Sequence, residues 1–97
     1  MPAYLIARVR VTDPEQYKEY TKLTPAAIAK HGGRFVVRGG AVSTLEGPSE
    51  QDRVVVIEFP SVERAKAFWD SPEYREAKAK RAGAATGQFI LVDGYAG

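Results

Sequence analysis

The chain has no cysteine and only one histidine, His31, among its 97 residues. The lack of cysteine excludes disulfides, thiolate metal sites and a cysteine nucleophile. One histidine cannot build a conventional zinc site. His31 directly precedes Gly32 at the predicted end of a helix, so we expect a capping or surface role for it rather than haem ligation. The sequence thus predicts neither a metal nor another cofactor.

Long apolar runs are also missing, because nowhere do ~18 consecutive apolar residues occur. The first residues show no basic segment followed by an apolar stretch and a cleavage site. We therefore expect a cytoplasmic protein with no membrane partner. Fourteen Lys and Arg against 12 Asp and Glu leave a net charge of +2, and the two signs are mixed along the chain. This mixture gives no positive indication of nucleic-acid binding.

Composition and length describe a small globular domain. Hydrophobic residues make up 44% of the chain, which is too apolar for a disordered protein. A chain of 97 residues fits one domain, spanning 1–97, whose core is near the lower limit for independent folding.

Hydrophobic periodicity and turn residues predict the order strand, helix, strand, strand, helix, strand. Asp13 and Pro14 are typical of the start of the first helix, Gly32 and Gly33 of its end, and Pro25 predicts a kink or break near Thr24. Ser61 and the Ser71-Pro72 pair predict two further helix starts, the second helix running to about residue 81. The predicted strands are residues 4–11, 34–38, 53–59 and 88–92, with a continuation over 41–45 after a bulge, a loop over 46–52 and a tail over 94–97.

This order predicts an α+β, ferredoxin-like βαββαβ domain with a four-stranded antiparallel sheet. Right-handed crossovers place the helices on one face of the sheet. The segments 54–57 and 89–92 are nevertheless apolar on both parities, as in strands that are buried on both sides. A second copy is the cover that the sequence itself supplies, so we expect a homodimer whose two sheets pack face to face as a dimeric α/β barrel.

Several strings, in order and at matching spacing, carry a family resemblance: AYLIARVRVTDPEQYKEY, HGGRFVVRGG, LEG, VVIEFPS and WDSPEY. Together they resemble a bacterial family, domain of unknown function thirteen-thirty, within the dimeric α/β-barrel superfamily. The resemblance implies the same fold and dimer as the strand pattern. It implies no activity, because the superfamily holds cofactor-independent monooxygenases, isomerases, haem enzymes and stress-response binders. Two positions depart from the family pattern: Arg8 replaces an acidic residue, and Phe68-Trp69 replaces a Trp-Tyr pair.

Glu58 is the polar residue that stands out, because it interrupts an apolar strand and needs a partner there. We expect that partner to be Arg38 or Arg81. The pair is either a structural ion pair at the barrel rim or part of a pocket in which an arginine holds an anionic group and Glu58 orients it or acts as base. Glu58 is therefore a candidate catalytic residue, without a commitment to catalysis.

Tyr17, Trp69 and Tyr74 complete the predicted ligand-binding set with Arg38, Glu58 and Arg81. Aromatic residues at helical spacing are more often core, but a buried hydroxyl near an arginine also suits a pocket wall. The leading hypothesis is a homodimer that binds a small, partly apolar, anionic metabolite between helices and sheet, with cofactor-independent catalysis left open. The alternative is a non-catalytic stress-response or structural binding dimer. RNA binding is disfavoured because the strand RVVVIEF lacks the glycine and stacking aromatics of an RNA-recognition module.

Overall fold

The computed structural model describes residues 1–95. Its elements are β1 (Ala3–Val11), α1 (Pro14–Lys30), β2 (Arg34–Arg38), β3 (Arg53–Phe59), α2 (Val62–Trp69), α3 (Pro72–Arg81) and β4 (Ala85–Asp93). The strands form one sheet in the order β2-β3-β1-β4, and all neighbouring strands are antiparallel. The predicted ferredoxin-like α+β fold is confirmed. Residues 96 and 97 of the predicted tail lie outside the described residues.

Helix α1 begins and ends at the predicted signals. The Asp13 carboxylate accepts a hydrogen bond from the Gln16 backbone N–H at 3.2 Å, and Pro14 occupies the first turn, where its missing N–H is not needed. His31 is the C-cap residue. Gly32 follows with φ +79°, and the N–H groups of Gly32 and Gly33 donate to carbonyls of the last helical turn. This pairing is a Schellman motif, and it turns the chain directly into β2.

Pro25 does not interrupt α1, which is continuous through it, so the predicted break does not occur. A proline at this position removes one helical hydrogen bond, the one that the residue-25 N–H would donate to the Thr21 carbonyl. The helix keeps its course because Thr24, Ala27 and Ile28 around the proline are buried against the sheet and its neighbours. Packing of one helix face therefore outweighs the single lost bond.

The two faces of the sheet differ in burial. In β1 and β3 the odd-numbered residues are buried beneath the helices, except for the half-buried Val11 and Arg53, and the even-numbered ones are half-buried or exposed. We call the second side the open face. Its apolar residues include Val37, Ile90 and Val92, with exposures of 38%, 45% and 43%. Ile6 and Val56, which are paired across β1 and β3, lie between them.

Strand β2 carries a bulge that changes which side chains face the helices. Arg34 pairs with Glu58 and Phe35 with Ile57, but the next paired residue is Val37, opposite Val56. The register shift skips Val36 and places Arg38 opposite Val55, a residue of the helix side. Without this bulge, Arg38 would share the open face with Arg34.

The segment between β2 and β3 has no strand over residues 41–45, so the predicted continuation of β2 is wrong. These residues have no neighbouring strand with which to pair. The end of the segment is held by two ion pairs across to β1, Arg8 with Glu50 at 2.5 Å and Arg10 with Asp52 at 3.2 Å. Arg8, at the position that departs from the family pattern, thus anchors this loop. Within the described chain, no helix is long and apolar enough to cross a bilayer.

Candidate functional site

A cavity of about 30 Å³ lies between the helices and the sheet. That volume holds about two water molecules. Odd-numbered residues of β1 and β3 form an apolar floor. The polar side chains of its wall are Tyr17, Tyr20, Thr21, Thr24, Arg38, Arg53 and Tyr74. Within residues 1–95, no aspartate or glutamate lines it, so the polar part of the wall consists of hydroxyl and guanidinium groups.

Two buried tyrosines join α1 to α3 at the centre of this wall. The Tyr20 and Tyr74 hydroxyls are 3.0 Å apart and form a hydrogen bond. Arg81 Nη2 donates to the Tyr74 hydroxyl at 3.3 Å, and its guanidinium also stacks 5.4 Å from the Tyr20 ring centroid. Burial, reinforced by the Tyr74 hydroxyl, raises the pKa of Tyr20 far above its ordinary value. Tyr20 is therefore a neutral phenol at physiological pH.

Tyr17 brings a third hydroxyl to the same region, between two arginines. Burial raises the pKa of Tyr17, and the positive charges of Arg53 and Arg81 partly offset this effect. Both guanidinium groups therefore lie close enough to the Tyr17 hydroxyl to stabilise negative charge beside it. Tyr17 is thus a neutral hydrogen-bond donor that experiences the positive charge of both arginines.

Arg53 depends on Gly39 for its position. Gly39 has φ +71°, and a Cβ atom built on it would lie 2.1 Å from Arg53 Nη1. The guanidinium therefore rests directly on the Gly39 backbone, where no side chain fits. The adjacent Gly40 has nothing within 4 Å of such an atom. The first glycine of the RGG string thus has a role at the site that the second does not share.

Arg38 lies at the outer edge of the cavity and is exposed. Its Nη2 donates to the Thr21 carbonyl at 3.4 Å, and its guanidinium stacks 4.4 Å from the centroid of the Phe35 ring. The Thr21 carbonyl is the one left without a helical donor by Pro25. The proline therefore supplies an acceptor that connects α1 to β2 through Arg38.

None of the three arginines of the cavity region is neutralised by a carboxylate of the described chain. Salt bridges over residues 1–95 involve Arg8, Arg10 and Arg34 but not Arg38, Arg53 or Arg81. Arg53 and Arg81 are half-buried, and the Nε atom of each is buried without a hydrogen-bond partner. Partly desolvated cations without a counter-ion are costly, so this region is electrostatically incomplete.

A second, larger space of about 200 Å³ adjoins the first, between α2 and strands β1 and β4. We call it the Trp69 compartment. Its wall is mainly apolar and consists of Leu5, Ala65, Lys66, Trp69, Asp70, Phe89 and Leu91. Leu5 and Phe89 line both spaces. The two spaces therefore adjoin at these side chains, and we refer to them together as the cleft. One end is lined by arginine and tyrosine, and the other is mainly aromatic and aliphatic, with the exposed residues Lys66 and Asp70.

Glu58 does not belong to this cleft, which corrects the expected pairing with Arg38 or Arg81. It lies on the open face, where its carboxylate accepts two hydrogen bonds. Arg34 Nε donates one at 3.0 Å, and the Tyr4 hydroxyl donates the other at 3.1 Å. The hydrogen bond from Arg34, followed by that from Tyr4, lowers the pKa of Glu58. The physical reason for the wrong pairing is the β2 bulge, which turns Arg38 away from the face that Glu58 occupies.

The other predicted site residues gather around the cleft. Tyr17, Tyr74 and Arg38 line the first space, Trp69 lines the second, and Arg81 contacts Tyr74. Two further wall residues, Arg53 and Tyr20, were not in the predicted ligand-binding set although the sequence carries a signal for each. Arg53 has the same parity in β3 as the buried residues of that strand, and Tyr20 is one helical turn from Tyr17.

Chemically, the cleft can donate hydrogen bonds and stabilise negative charge. Arginine side chains stay cationic, and Tyr17 and Tyr20 keep their protons because burial raises their pKa values, so these groups offer no base near neutral pH. The carboxylate of Asp70 lines the Trp69 compartment and not the arginine-containing space. Nor do residues 1–95 contain a cluster of three or more His, Asp or Glu side chains that could hold a metal ion. The arrangement suits recognition of an anion, or stabilisation of an oxyanion on a bound molecule.

Comparison with solved structures shows that the chain has the fold of ferredoxin-like α+β proteins. A protein of unknown function from Rhodopseudomonas palustris superposes with a TM-score of 0.77 at 25% identity, covering 99% of this chain and 84% of that one. A dimeric ferredoxin-like protein of unknown function from Jannaschia sp. CCS1 gives 0.72 at 10% identity, over 97% and 100% of the chains. SnoaB, a cofactor-independent oxygenase from Streptomyces nogalater, gives 0.65 at 16% identity, over 99% and 95%.

The chain belongs to the family described as Domain of unknown function (DUF1330), whose model matches residues 2–95. The family resemblance of the sequence is thereby confirmed. No curated protein matched the chain. The similarities with SnoaB and the Jannaschia protein are at identities that establish the fold alone.

Proposed function

We propose that the protein binds a small, partly apolar anionic molecule in the cleft between helices and sheet. The observation that carries the proposal is the unneutralised charge of Arg53 and Arg81 beside the Tyr17 hydroxyl. A carboxylate or enolate would provide the missing counter-charge and accept hydrogen bonds from these groups. The apolar floor and the aromatic end of the cleft would contact the remainder of the molecule.

The cavity beside the arginines, at about 30 Å³, is too small to hold such a molecule. Arg38 is the cavity residue with the most freedom to move, because it is exposed and has a single long hydrogen bond at 3.4 Å. Its displacement from Thr21 would widen the entrance between α1 and β2. Ligand binding on this proposal is accompanied by a rearrangement of the Arg38 side chain.

The same proposal includes a homodimer formed through the open face. That face presents the apolar residues Val37, Ile90 and Val92 side by side with half-buried neighbours. Exposed apolar surfaces of this kind are typical of interfaces, and three structural neighbours are described as dimeric proteins. The ligand cleft lies on the other side of the sheet, so the two functions use separate surfaces.

Isothermal titration calorimetry with benzoate, acetate and neutral benzyl alcohol tests the anion site. We expect the carboxylates to bind and Arg53→Met to weaken benzoate binding by about 10- to 100-fold, as for loss of a charge-assisted hydrogen bond. Arg75→Met is the matched control, because Arg75 is exposed on α3, away from the cleft. Equal affinity of both variants for benzoate, or binding of benzyl alcohol alone, would overturn the proposal.

A non-catalytic role is favoured over turnover by the composition of the cleft. The space that contains the arginines is lined by hydrogen-bond donors and by no carboxylate of the described chain, whereas Asp70 lines the Trp69 compartment. Glu58, the candidate base from the sequence, lies on the opposite face in an ion pair with Arg34. Binding and release of the anion therefore account for the arginine and tyrosine groups of the first space. The purely structural alternative leaves the charges of Arg53 and Arg81 without a purpose.

A further inference from the structure

We infer that the ligand is a carboxylate that carries one aromatic ring, and that the ring occupies the Trp69 compartment. This inference rests on the proposed anion site and assigns a substrate class to it. The Trp69 compartment has a volume of about 200 Å³ and is larger than the space of about 30 Å³ beside the arginines.

The volume of the Trp69 compartment indicates which chemical groups it can hold. A cavity of about 150 Å³ with an apolar lining accommodates a molecule of benzene. The Trp69 compartment, at about 200 Å³, therefore has room for a single ring with a short substituent.

The lining selects aromatic over aliphatic groups. The ring centroids of Trp69 and Phe89 are 5.3 Å apart with an interplanar angle of 51°, and Trp69 also lies 4.8 Å from Tyr74. An added ring would extend this existing series of tilted aromatic contacts. Lys78 stacks on Trp69 at 5.0 Å and helps to hold the indole in place.

The relation between the two ends of the cleft places the carboxylate. The Arg81 guanidinium is 4.6 Å from the Phe89 ring centroid, and the Trp69 ring is 5.3 Å from the same centroid. The Arg81 guanidinium thus stacks on the Phe89 ring that also lines the aromatic compartment, about one ring width from it, and Lys66 is a further cation in the compartment wall itself. A carboxylate joined to the ring directly or through one carbon spans this separation, whereas a long linker would fold back on itself.

Trp69 is the only tryptophan of the chain, so its fluorescence reports occupancy of this compartment. Titration with benzoate or phenylacetate should quench or shift the emission, and calorimetry should show about tenfold tighter binding than for acetate. Cyclohexanecarboxylate, of similar size without π-electrons, should fall between them.

Filling the compartment gives the sharper test. Ala65 is buried in its wall, so Ala65→Leu should lower the affinity for phenylacetate at least tenfold while acetate binding stays the same. Ala67→Leu, at an exposed position of the same helix, is the matched control and should bind both acids as the wild type does. Thermal melting checks that Ala65→Leu is folded. If it does not fold, the smaller change Leu91→Ala should instead weaken phenylacetate selectively.

The outcomes separate this inference from the proposed function. Equal binding of acetate and phenylacetate, abolished by Arg53→Met and unaffected by Ala65→Leu, would overturn the aromatic assignment and leave the anion site standing. Absence of binding by any carboxylate would overturn both. Selective loss of phenylacetate in Ala65→Leu, with quenching of Trp69 in the wild type, supports the assignment.

Discussion

Arg38 Nη2 donates a hydrogen bond to the Thr21 carbonyl at 3.4 Å, and this carbonyl lacks a helical partner because Pro25 follows four residues later. Replacing the proline should therefore affect both helix stability and the position of Arg38. We expect Pro25→Ala to raise the free energy of unfolding by about 1–2 kcal/mol, since the regained helical bond exceeds the loss of chain restriction. Denaturant unfolding measures the change.

Pro72→Ala is the control for that experiment. Pro72 lies at the start of α3, where its missing N–H removes no helical bond, so this change should not stabilise the protein. A destabilised Pro25→Ala variant would show that the Thr21–Arg38 contact is worth more than the helical bond it replaces.

The two glycines of the RGG string should differ in their effect on ligand binding. Gly39→Ala places a non-glycine residue at φ +71°, which strains the backbone. It also places a Cβ atom 2.1 Å from Arg53 Nη1, so the Arg53 side chain must move. We expect a stability loss of about 1 kcal/mol together with weaker benzoate binding. Gly40→Ala, with open space around it, should leave benzoate affinity unchanged. Calorimetry measures the affinity of both variants for benzoate. Equal affinities would show that the position of Arg53 does not affect benzoate binding.

Glu58 should be coupled to Arg34 and not to Arg38. A double-mutant cycle with Glu58→Gln and Arg34→Met is expected to give a small favourable coupling, whereas the cycle with Arg38→Met should give none, because the bulge places Arg38 on the opposite face. The finding that would contradict the geometry is coupling to Arg38 alone. Urea unfolding of the single and double variants provides the free energies.

The Glu58 pair also has a defined pH dependence. Arg34 and Tyr4 lower the pKa of Glu58 in the folded state, so its stabilising contribution is present above the ordinary carboxyl pKa and is lost as the pH falls through the lowered value. The stability difference between wild type and Glu58→Gln should therefore shrink on acidification. Thermal melts from neutral pH to about pH 3 follow this change through the titration range of the carboxyl group. A difference that grows on acidification would contradict the assignment.

Tyr20 should make the fold sensitive to alkaline pH. Burial raises its pKa in the folded state, so the stability that it contributes is complete below the ordinary tyrosine pKa and declines as the pH rises above it. We expect alkaline unfolding accompanied by a step in tyrosinate absorbance. In Tyr20→Phe this step should be smaller by one phenol and unfolding should move to higher pH. An unchanged amplitude would place the titrating group elsewhere.

Charge on the open face should disrupt the proposed dimer. Light scattering at micromolar concentration is expected to give about twice the chain mass for the wild type and the monomer mass for Ile90→Glu, because a carboxylate would be buried in the interface. Ala79→Glu, on the exposed side of α3, should remain dimeric. A folded wild-type monomer would refute the interface.

The order of the elements could be predicted from the sequence because caps, turns and strand parity all indicate the same arrangement. Strand β4 was predicted to begin at residue 88 but begins at Ala85, since Ala85 pairs with Val11 and a long partner strand overrides weak strand propensity. The site was predictable in part. The aromatic residues of α1 and α3 recur at helical spacing and could therefore be predicted to share a face. The face of the sheet on which Arg38 lies depends on a bulge, and no residue in the string RFVVR predicts that bulge.

Because of that bulge, the number of residues in β2 determines on which face of the sheet the charge of Arg38 lies. Deleting Val36 would restore regular alternation in β2 and turn Arg38 from the cleft to the open face beside Arg34. The composition would change by one valine, yet the cleft would lose a cation and the opposite surface would gain one. Homologues that differ by a single insertion or deletion here should therefore differ in which surface attracts anions.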